Sequence, residues 1–130
     1  MHVAVVGPVP PPYQGMTVYT RMLLDELDAE GMPVRWIDSS DHRDLSNMGR
    51  IDWENLWGAA RTAFGILGSV RLERPRLLYL PIAQSGLPFV RDAIHLLLGR
   101  IAGMRLVVHL HGGDFPGFYA GEPRIVRWVI

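Results

Sequence analysis

The sequence predicts a doubly wound α/β fold, a Rossmann-like domain with a parallel sheet, over its 130 residues. Short apolar runs rich in β-branched residues alternate with longer segments whose apolar residues recur at helical spacing. Gly and Pro residues separate these segments. A strand, one helix and a second strand form a right-handed crossover, so the strands lie parallel with helices on both faces of the sheet. We predict the strand order 3-2-1-4 and a domain that is truncated at its C-terminal end.

The first half of the chain predicts two strands and a helix. Residues 3–6 form an apolar run that ends at Gly7, and the prolines that follow exclude both a helix and a paired strand. From Gly15, apolar residues fall at helical spacing until Gly31, namely Val18, Tyr19, Met22, Leu23 and Leu27. Residues 33–37 form the second strand, and the polar residues 38–52 form a loop.

The second half repeats the alternation. A second helix is predicted from the spacing of Trp53, Leu56, Trp57, Ala60, Phe64 and Leu67. Residues 76–82 form the third strand. The third helix is predicted from Leu87, Val90, Ile94, Leu97, Leu98 and Ile101. Residues 105–110 form a fourth, almost wholly apolar strand, and a further helix begins over 122–130.

Composition excludes several functional classes. The chain has no Cys, which removes thiolate nucleophiles, Cys zinc sites and disulfides. All 13 of its Lys and Arg residues are Arg, so it has neither a Schiff-base lysine nor a P-loop lysine. Neither a D-x-D nor a G-x-S-x-G motif occurs, and the glycines after the first strand do not form G-x-G-x-x-G. We therefore predict no nicotinamide or other cofactor.

Charge is unevenly distributed, although the formal net charge is zero. Nine acidic residues accompany four Arg in residues 1–56, whereas seven Arg accompany two acidic residues in 57–110. Zero net charge argues against general binding of nucleic acid. The basic segment is compatible with an anionic headgroup or phosphate. With neither a membrane-spanning run nor a signal peptide in the sequence, we predict a cytoplasmic protein and leave open a peripheral contact with the membrane.

In the order 3-2-1-4 the direction of winding reverses between strands one and four, so the loops after these strands open onto one crevice. The first loop ends at Gly15, which begins a helix. A helix N-terminus attracts anions, and a glycine permits their close approach. The alternative is that Gly15 only relieves crowding at the turn.

The second loop follows His109 and contains His111, Gly112, Gly113 and Asp114. The two histidines and Asp114 offer a possible set of metal ligands. No further ligand has evident geometry, however, and we predict no metal site. We interpret His109 as a core histidine that is hydrogen-bonded to a backbone carbonyl. His111, at the end of the strand, faces the crevice.

Together these features resemble the N-terminal domain of family 4 glycosyltransferases of the GT-B fold. The resemblance rests on Gly7-Pro8, the run of prolines, Gly15-Met16 and Tyr19, followed after three βα units by the segment from His109 to Phe115. It covers essentially the whole chain. In that family two adjacent glycines usually follow strand one, whereas this chain has Gln14-Gly15.

The resemblance implies transfer of a sugar from a nucleotide-sugar donor to a glycan or lipid-linked acceptor, with retention at the anomeric carbon and without an obligatory metal. His111 would hydrogen-bond the donor sugar near the reacting centre. Gly15, with Gln14 and Met16, would approach the donor phosphate or the acceptor. The other substrate-binding candidates are Gly112, Gly113 and Asp114.

The resemblance also implies a second, nucleotide-binding domain, so we expect this chain to be a fragment that is inactive alone. Because strand four is apolar on both faces and lies at the edge of the predicted sheet, we expect it to self-associate through residues 105–130. The alternative is a free-standing flavodoxin-like or receiver-like binding module without catalysis. A receiver would carry an acidic cluster where this chain has Gly7-Pro8. A purely structural interaction module would leave the Gly-Gly-Asp loop without a role.

One aromatic stripe allows two interpretations. Trp53, Trp57 and Phe64 with Arg61 could form an interfacial surface that receives a lipid-linked acceptor. Alternatively, the stripe is the buried face of the second helix, because any helix that covers a sheet needs such a face. We prefer the buried interpretation.

Overall fold

The computed structural model describes residues 1–40, 53–84, 86–113 and 115–121, together with residues 124 and 127. In these residues strands and helices alternate along the chain. The strands are β1 (Val3–Gly7), β2 (Val34–Asp38), β3 (Leu77–Ile82) and β4 (Arg105–Leu110). The helices are α1 (Gly15–Ala29), α2 (Trp53–Leu72), α3 (Gly86–Ile101) and α4 (Phe115–Gly121). Apart from residues 124 and 127, the helix predicted over 122–130 lies outside the described residues, as do residues 41–52 of the predicted loop.

The four strands are all parallel and lie in the order β2-β1-β3-β4. Val3 of β1 lies opposite Val34 of β2 on one side and Leu77 of β3 on the other. Leu77 in turn lies opposite Arg105 of β4. The predicted α/β class with a parallel sheet is confirmed. The predicted order 3-2-1-4 is wrong, because β3 occupies the place beside β1 that was assigned to strand four.

The alternation of strands and helices fixes the hand of each crossover, but not the side of β1 on which a later strand is added. Burial separates central strands from edge strands. All five residues of β1 and five of the six in β3 are buried. At the edges, Arg35 and Trp36 of β2 are exposed, as are Val107 and Val108 of β4. Because β2 lies on one side of β1 and β3 on the other, the direction of winding reverses between β1 and β3, as in flavodoxin-like sheets.

Helices cover the two faces of the sheet unequally. On one face, α1 packs Leu23, Leu24 and Leu27 against a small cluster of buried residues in β1 and β3. On the other face, α2 and α3 lie side by side over the larger cluster. Ile66 of α2 and Phe89 of α3 belong to that larger cluster.

The inward faces of α2 and α3 are built mainly from small and polar residues, with one large apolar side chain on each helix. The buried residues are Thr62, Ile66, Ser69, Phe89, Asp92, His95 and Gly99. A Cβ at Gly65 would lie 2.8 Å from Ile37, so the glycine lets α2 approach the sheet closely. At Gly65 this close approach leaves no room for a side chain.

The aromatic stripe of α2 accordingly faces outward. Trp53, Trp57 and Phe64 are 78%, 62% and 68% exposed. Our preferred interpretation, that this stripe is buried, is wrong. The physical reason is the close approach of α2 to the sheet, where the side chains of the strands already fill the core.

Candidate functional site

The candidate site lies at the carboxyl ends of the strands, on the face of the sheet that α1 covers. The predicted order required the loops after strands one and four to be neighbours. They are not, because β3 separates β1 from β4 in the sheet. Tyr19 of α1 nevertheless contacts both His109 and His111 of the β4 end. A side chain thus brings the start of α1 to the end of β4.

Thr17, which the sequence analysis did not single out, holds the loop before α1. Its buried hydroxyl donates to the Pro12 carbonyl at 2.7 Å and accepts from the Gln14 backbone N–H at 3.0 Å. Gln14 is the N-cap of α1. A polar residue three positions after an N-cap is a recognised capping signal, so the spacing of Gln14 and Thr17 could have revealed this contact.

Gly15 is exposed at the N-terminus of α1, and a Cβ built on it would meet no atom within 4 Å. The interpretation that this glycine relieves crowding is therefore wrong. Gln14 and Met16 on either side of it are half-buried. The first turn of α1 consequently has open space beside Gly15, at the positive end of the helix dipole.

Two stacked histidines form the centre of the site. The rings of His109 and His111 lie 4.1 Å apart between centroids, with their planes 13° from parallel. This arrangement follows from the strand, since residues two apart point to the same face of a sheet. The Tyr19 ring makes T-shaped contacts with both rings, at centroid distances of 4.5 Å to His109 and 5.3 Å to His111.

His109 is hydrogen-bonded to a side chain rather than to a backbone carbonyl. Its Nδ1 lies 2.6 Å from the Tyr79 hydroxyl, and the residue is half-buried. The interpretation of His109 as a core histidine bonded to a carbonyl is therefore wrong. His109 pairs with Pro81 in the β3–β4 register, which leaves Tyr79 two residues away on the same face. This contact was not predictable without the strand pairing.

Protonation at the site follows from its packing. Partial burial of the His111 ring lowers the pKa of that histidine, and the charge of His109 lowers it further. Burial raises the pKa of the Tyr79 hydroxyl, with Tyr19 adding to the shift. At neutral pH the site therefore holds a neutral imidazole at His111 and a protonated phenol at Tyr79. Such groups orient hydroxyls by hydrogen bonding without adding charge.

The stacked geometry is unsuited to chelation. An imidazole binds a metal through a nitrogen lone pair in the plane of its ring, and two nearly parallel planes about 4 Å apart share no such point. The described part of the chain holds no group of three or more His, Cys, Asp or Glu arranged for a metal. Asp114, the third of the possible metal ligands with His109 and His111, lies outside the described residues.

The two glycines after His111 differ in their surroundings. A Cβ at Gly112 would collide with the side chain of Gln84, whose Nε2 donates to the Gly112 carbonyl at 3.3 Å. Gly113 is exposed, and a Cβ there would meet nothing. No local sequence pattern predicts that Gln84, in the loop after β3, contacts Gly112. A side chain at Gly112 would have to displace the flexible end of Gln84, whereas Gly113 leaves open space beside the histidines.

A groove of about 470 Å³ lies on the opposite face of the sheet, beside β4. Its lining is apolar except for Arg100. Leu110 lines this groove while its neighbour His109 points to the other face. The groove and the histidines are therefore separated by the sheet.

Comparisons of the sequence with protein-family models and with curated proteins find no match. None of the described helices is sufficiently long and apolar to cross a membrane.

Proposed function

We propose that the chain is the acceptor-side, N-terminal domain of a two-domain retaining glycosyltransferase. Such an enzyme moves a sugar from a nucleotide-sugar donor to a glycan or lipid-linked acceptor. The observation that carries the proposal is the contact of Tyr19 with His109 and His111. Tyr19 lies about 6 Å along the axis of α1 from Gly15, so an anion at the helix N-terminus and a hydroxyl at the histidines would belong to one ligand.

Each proposed role has its own physical support. The N–H groups near Gly15, flanked by Gln14 and Met16, suit a phosphate or another anionic group, because a Cβ there would have open space and the helix dipole favours negative charge. His111, kept neutral by its lowered pKa, suits a sugar hydroxyl, which needs a donor or acceptor rather than a charge.

The remaining site residues act around these two groups. Gly113 leaves space beside His111, and Gly112 carries the carbonyl that Gln84 holds. Asp114 stays a proposed ligand on the basis of the sequence alone. In this proposal Tyr79 and His109 are positioning residues, since they act on the substrate only through His111.

The test is the substitution His111→Ala in the protein that carries this chain together with its nucleotide-binding domain. We expect sugar transfer to fall by about 10²-fold or more, the loss typical of a donor that stabilises the reacting centre. The measurement is release of the nucleoside diphosphate from a panel of nucleotide-sugars. His2→Ala is the matched control, because His2 is exposed at the opposite end of β1. Turnover near that of the unmodified protein, with an unchanged melting temperature, would contradict the proposal.

The sheet order favours a second candidate, a flavodoxin-like module that binds a phosphorylated ligand without catalysis. The order β2-β1-β3-β4 places its reversal between β1 and β3, where such modules bind their ligands. Calorimetric titration of the chain with flavin mononucleotide and with nucleoside diphosphates separates the two candidates. Micromolar binding by this chain alone, without sugar transfer by the protein that carries it, would favour the module.

A further inference from the structure

The outward surface of α2 and α3 combines large apolar side chains with arginines. Its apolar part includes Trp53, Trp57 and Phe64 of α2 and Ile94, Leu97 and Ile101 of α3, each more than half exposed. We call this surface the outer helix face. Because α2 and α3 lie side by side on the same face of the sheet, both helices present these residues on that side of the molecule. An exposed apolar region of this extent marks an interaction site.

The outer helix face cannot turn inward, because the opposite faces of both helices are already fixed. The Asp92 carboxylate accepts from the Ala83 backbone N–H at 2.9 Å, and the His95 Nε2–H donates to the Ala59 carbonyl at 3.1 Å. Both side chains are buried. A rotation of α2 or α3 that buried the aromatic residues would leave these polar groups without partners, at a high cost in free energy.

The charges of the outer helix face are predominantly positive. The two helices contain four arginines and two acidic residues. One of the acidic residues, Asp92, is buried and paired with Arg91 at 2.7 Å. Arg61, Arg71 and Arg100 are exposed, and Glu54 is the single exposed acid of the two helices.

We propose that the outer helix face binds the surface of an anionic lipid bilayer, with α2 and α3 lying in the plane of the interface. Tryptophan and phenylalanine bury their rings at the boundary between headgroups and acyl chains. Arginines at the same level bind lipid phosphates, while their methylene stems remain in the apolar layer. Bilayer binding of this kind does not depend on the function proposed above.

Charge also argues against a second copy of the chain as the partner. A two-fold contact through the outer helix face would bring two predominantly positive surfaces together. Like charges brought together in a desolvated contact oppose association. An anionic bilayer instead supplies the opposite charge to every arginine.

The test is co-sedimentation of the whole chain with vesicles of phosphatidylcholine alone and with vesicles that contain one third phosphatidylglycerol. We expect partitioning to the anionic vesicles to exceed that to the neutral vesicles by roughly tenfold, and to fall at high salt. The double variant Trp57→Gln/Phe64→Gln should lose roughly tenfold in partitioning, as should Arg61→Gln/Arg71→Gln. Quenching of tryptophan fluorescence by brominated lipid should accompany binding and disappear with it.

The matched control is Met22→Gln/Arg21→Gln on α1, where both side chains are also exposed. This variant should bind like the unmodified chain. Circular dichroism verifies that each variant is folded, and since all the substituted residues are exposed, we expect unchanged spectra. Equal loss in the α1 variant, absence of vesicle binding, or a dimer in solution that the Trp57→Gln/Phe64→Gln substitutions abolish would each overturn the proposal.

Discussion

The helices on the two faces of the sheet use their apolar residues in opposite ways. The α1 helix directs leucines toward the sheet and exposes its acids, namely Asp25, Glu26 and Asp28. The α2 helix directs Thr62, Ile66 and Ser69 inward and exposes its aromatic residues. Apolar residues at helical spacing thus identify a helix face whose burial is favourable. The spacing does not show whether that face is buried against the sheet or against a binding partner.

The strongest test of this comparison is a pair of substitutions on α2. Ile66 is fully buried, so Ile66→Ala removes apolar contacts and leaves a cavity; we expect a loss of about 3 kcal/mol in the free energy of unfolding. Trp57 is the larger residue but is exposed, and we expect Trp57→Ala to change stability by less than about 0.5 kcal/mol. Urea denaturation measures both. A greater loss from Trp57→Ala would show that its face is buried in the native protein.

The comparison of the two faces also indicates which parts of the fold could be predicted from the sequence. The strands were predictable because runs such as Val3 to Val6 and Leu77 to Leu80 are apolar and rich in strand-forming residues. Their order was not, since the helical crossovers permit β3 on either side of β1. The outward direction of Trp57 depends on how closely Gly65 lets α2 approach Ile37, which becomes apparent only from the packed structure.

The candidate site could also be predicted only in part, because several of its contacts depend on strand order and register. Gly15 and His111 were singled out from local sequence, as residues at the start of a helix and the end of a strand. Their neighbours Tyr79 and Gln84 come from β3 and the loop after it. Contacts of that kind depend on strand order and register, which local sequence does not encode.

A second pair of substitutions compares buried threonines on the two faces. Thr17, in the first turn of α1, both donates to the Pro12 carbonyl and accepts from the Gln14 backbone N–H. Thr17→Val leaves those two backbone groups without this partner, and we expect a loss of about 1.5 kcal/mol. Thr62 of α2 donates only to the Gly58 carbonyl at 3.0 Å, four residues earlier in its own helix.

Thr62→Val is therefore the matched control, and we expect it to cost less than about 0.5 kcal/mol. Thermal unfolding followed by circular dichroism measures both variants. Equal losses would mean that the Thr17 hydroxyl does not hold the loop before α1, and that the open geometry at Gly15 has another origin.

The two edge strands provide a third comparison. On β2, Arg35 places an exposed charge in the strand and pairs with Glu73 at 3.3 Å, a feature that opposes edge-to-edge pairing. On β4, Val107 and Val108 are exposed in the middle of the strand. Within the described residues the outer edge of β4 has no strand partner. We therefore propose that the chain self-associates through residues 105–130.

Sedimentation equilibrium at tens of micromolar should detect a dimer, and Val107→Lys should weaken it by roughly tenfold, because a lysine at an exposed edge opposes pairing. Arg35→Gln on the other edge strand is the control and should leave the dimer unchanged. A monomer at these concentrations would contradict the proposal, as would a dimer that the Val107→Lys substitution does not affect.

The smallest expected effect compares the histidines of the two faces as pH falls. On the α2–α3 face, burial lowers the pKa of His95, although its hydrogen bond to the Ala59 carbonyl and the nearby Asp92 oppose the shift. On the α1 face, partial burial and then His109 lower the pKa of His111. A lowered pKa in the folded state means that the unfolded chain binds more protons. Each histidine therefore contributes stability that is complete above its ordinary pKa of 6.5 and is lost as the pH falls below that value.

The melting temperature should consequently decrease as the pH is lowered from about 7 to 5. His95→Gln should flatten that decrease more than His111→Gln, since His95 is buried whereas His111 is exposed and its shift is screened by solvent. Because either substitution can change stability at every pH, the diagnostic quantity is the slope of melting temperature against pH rather than its absolute value. Proton NMR titration of the two imidazoles provides an independent measurement. A steeper dependence on His111 than on His95 would mean that the histidine stack beside Tyr19 is more completely removed from water than the interior contact between α2 and α3.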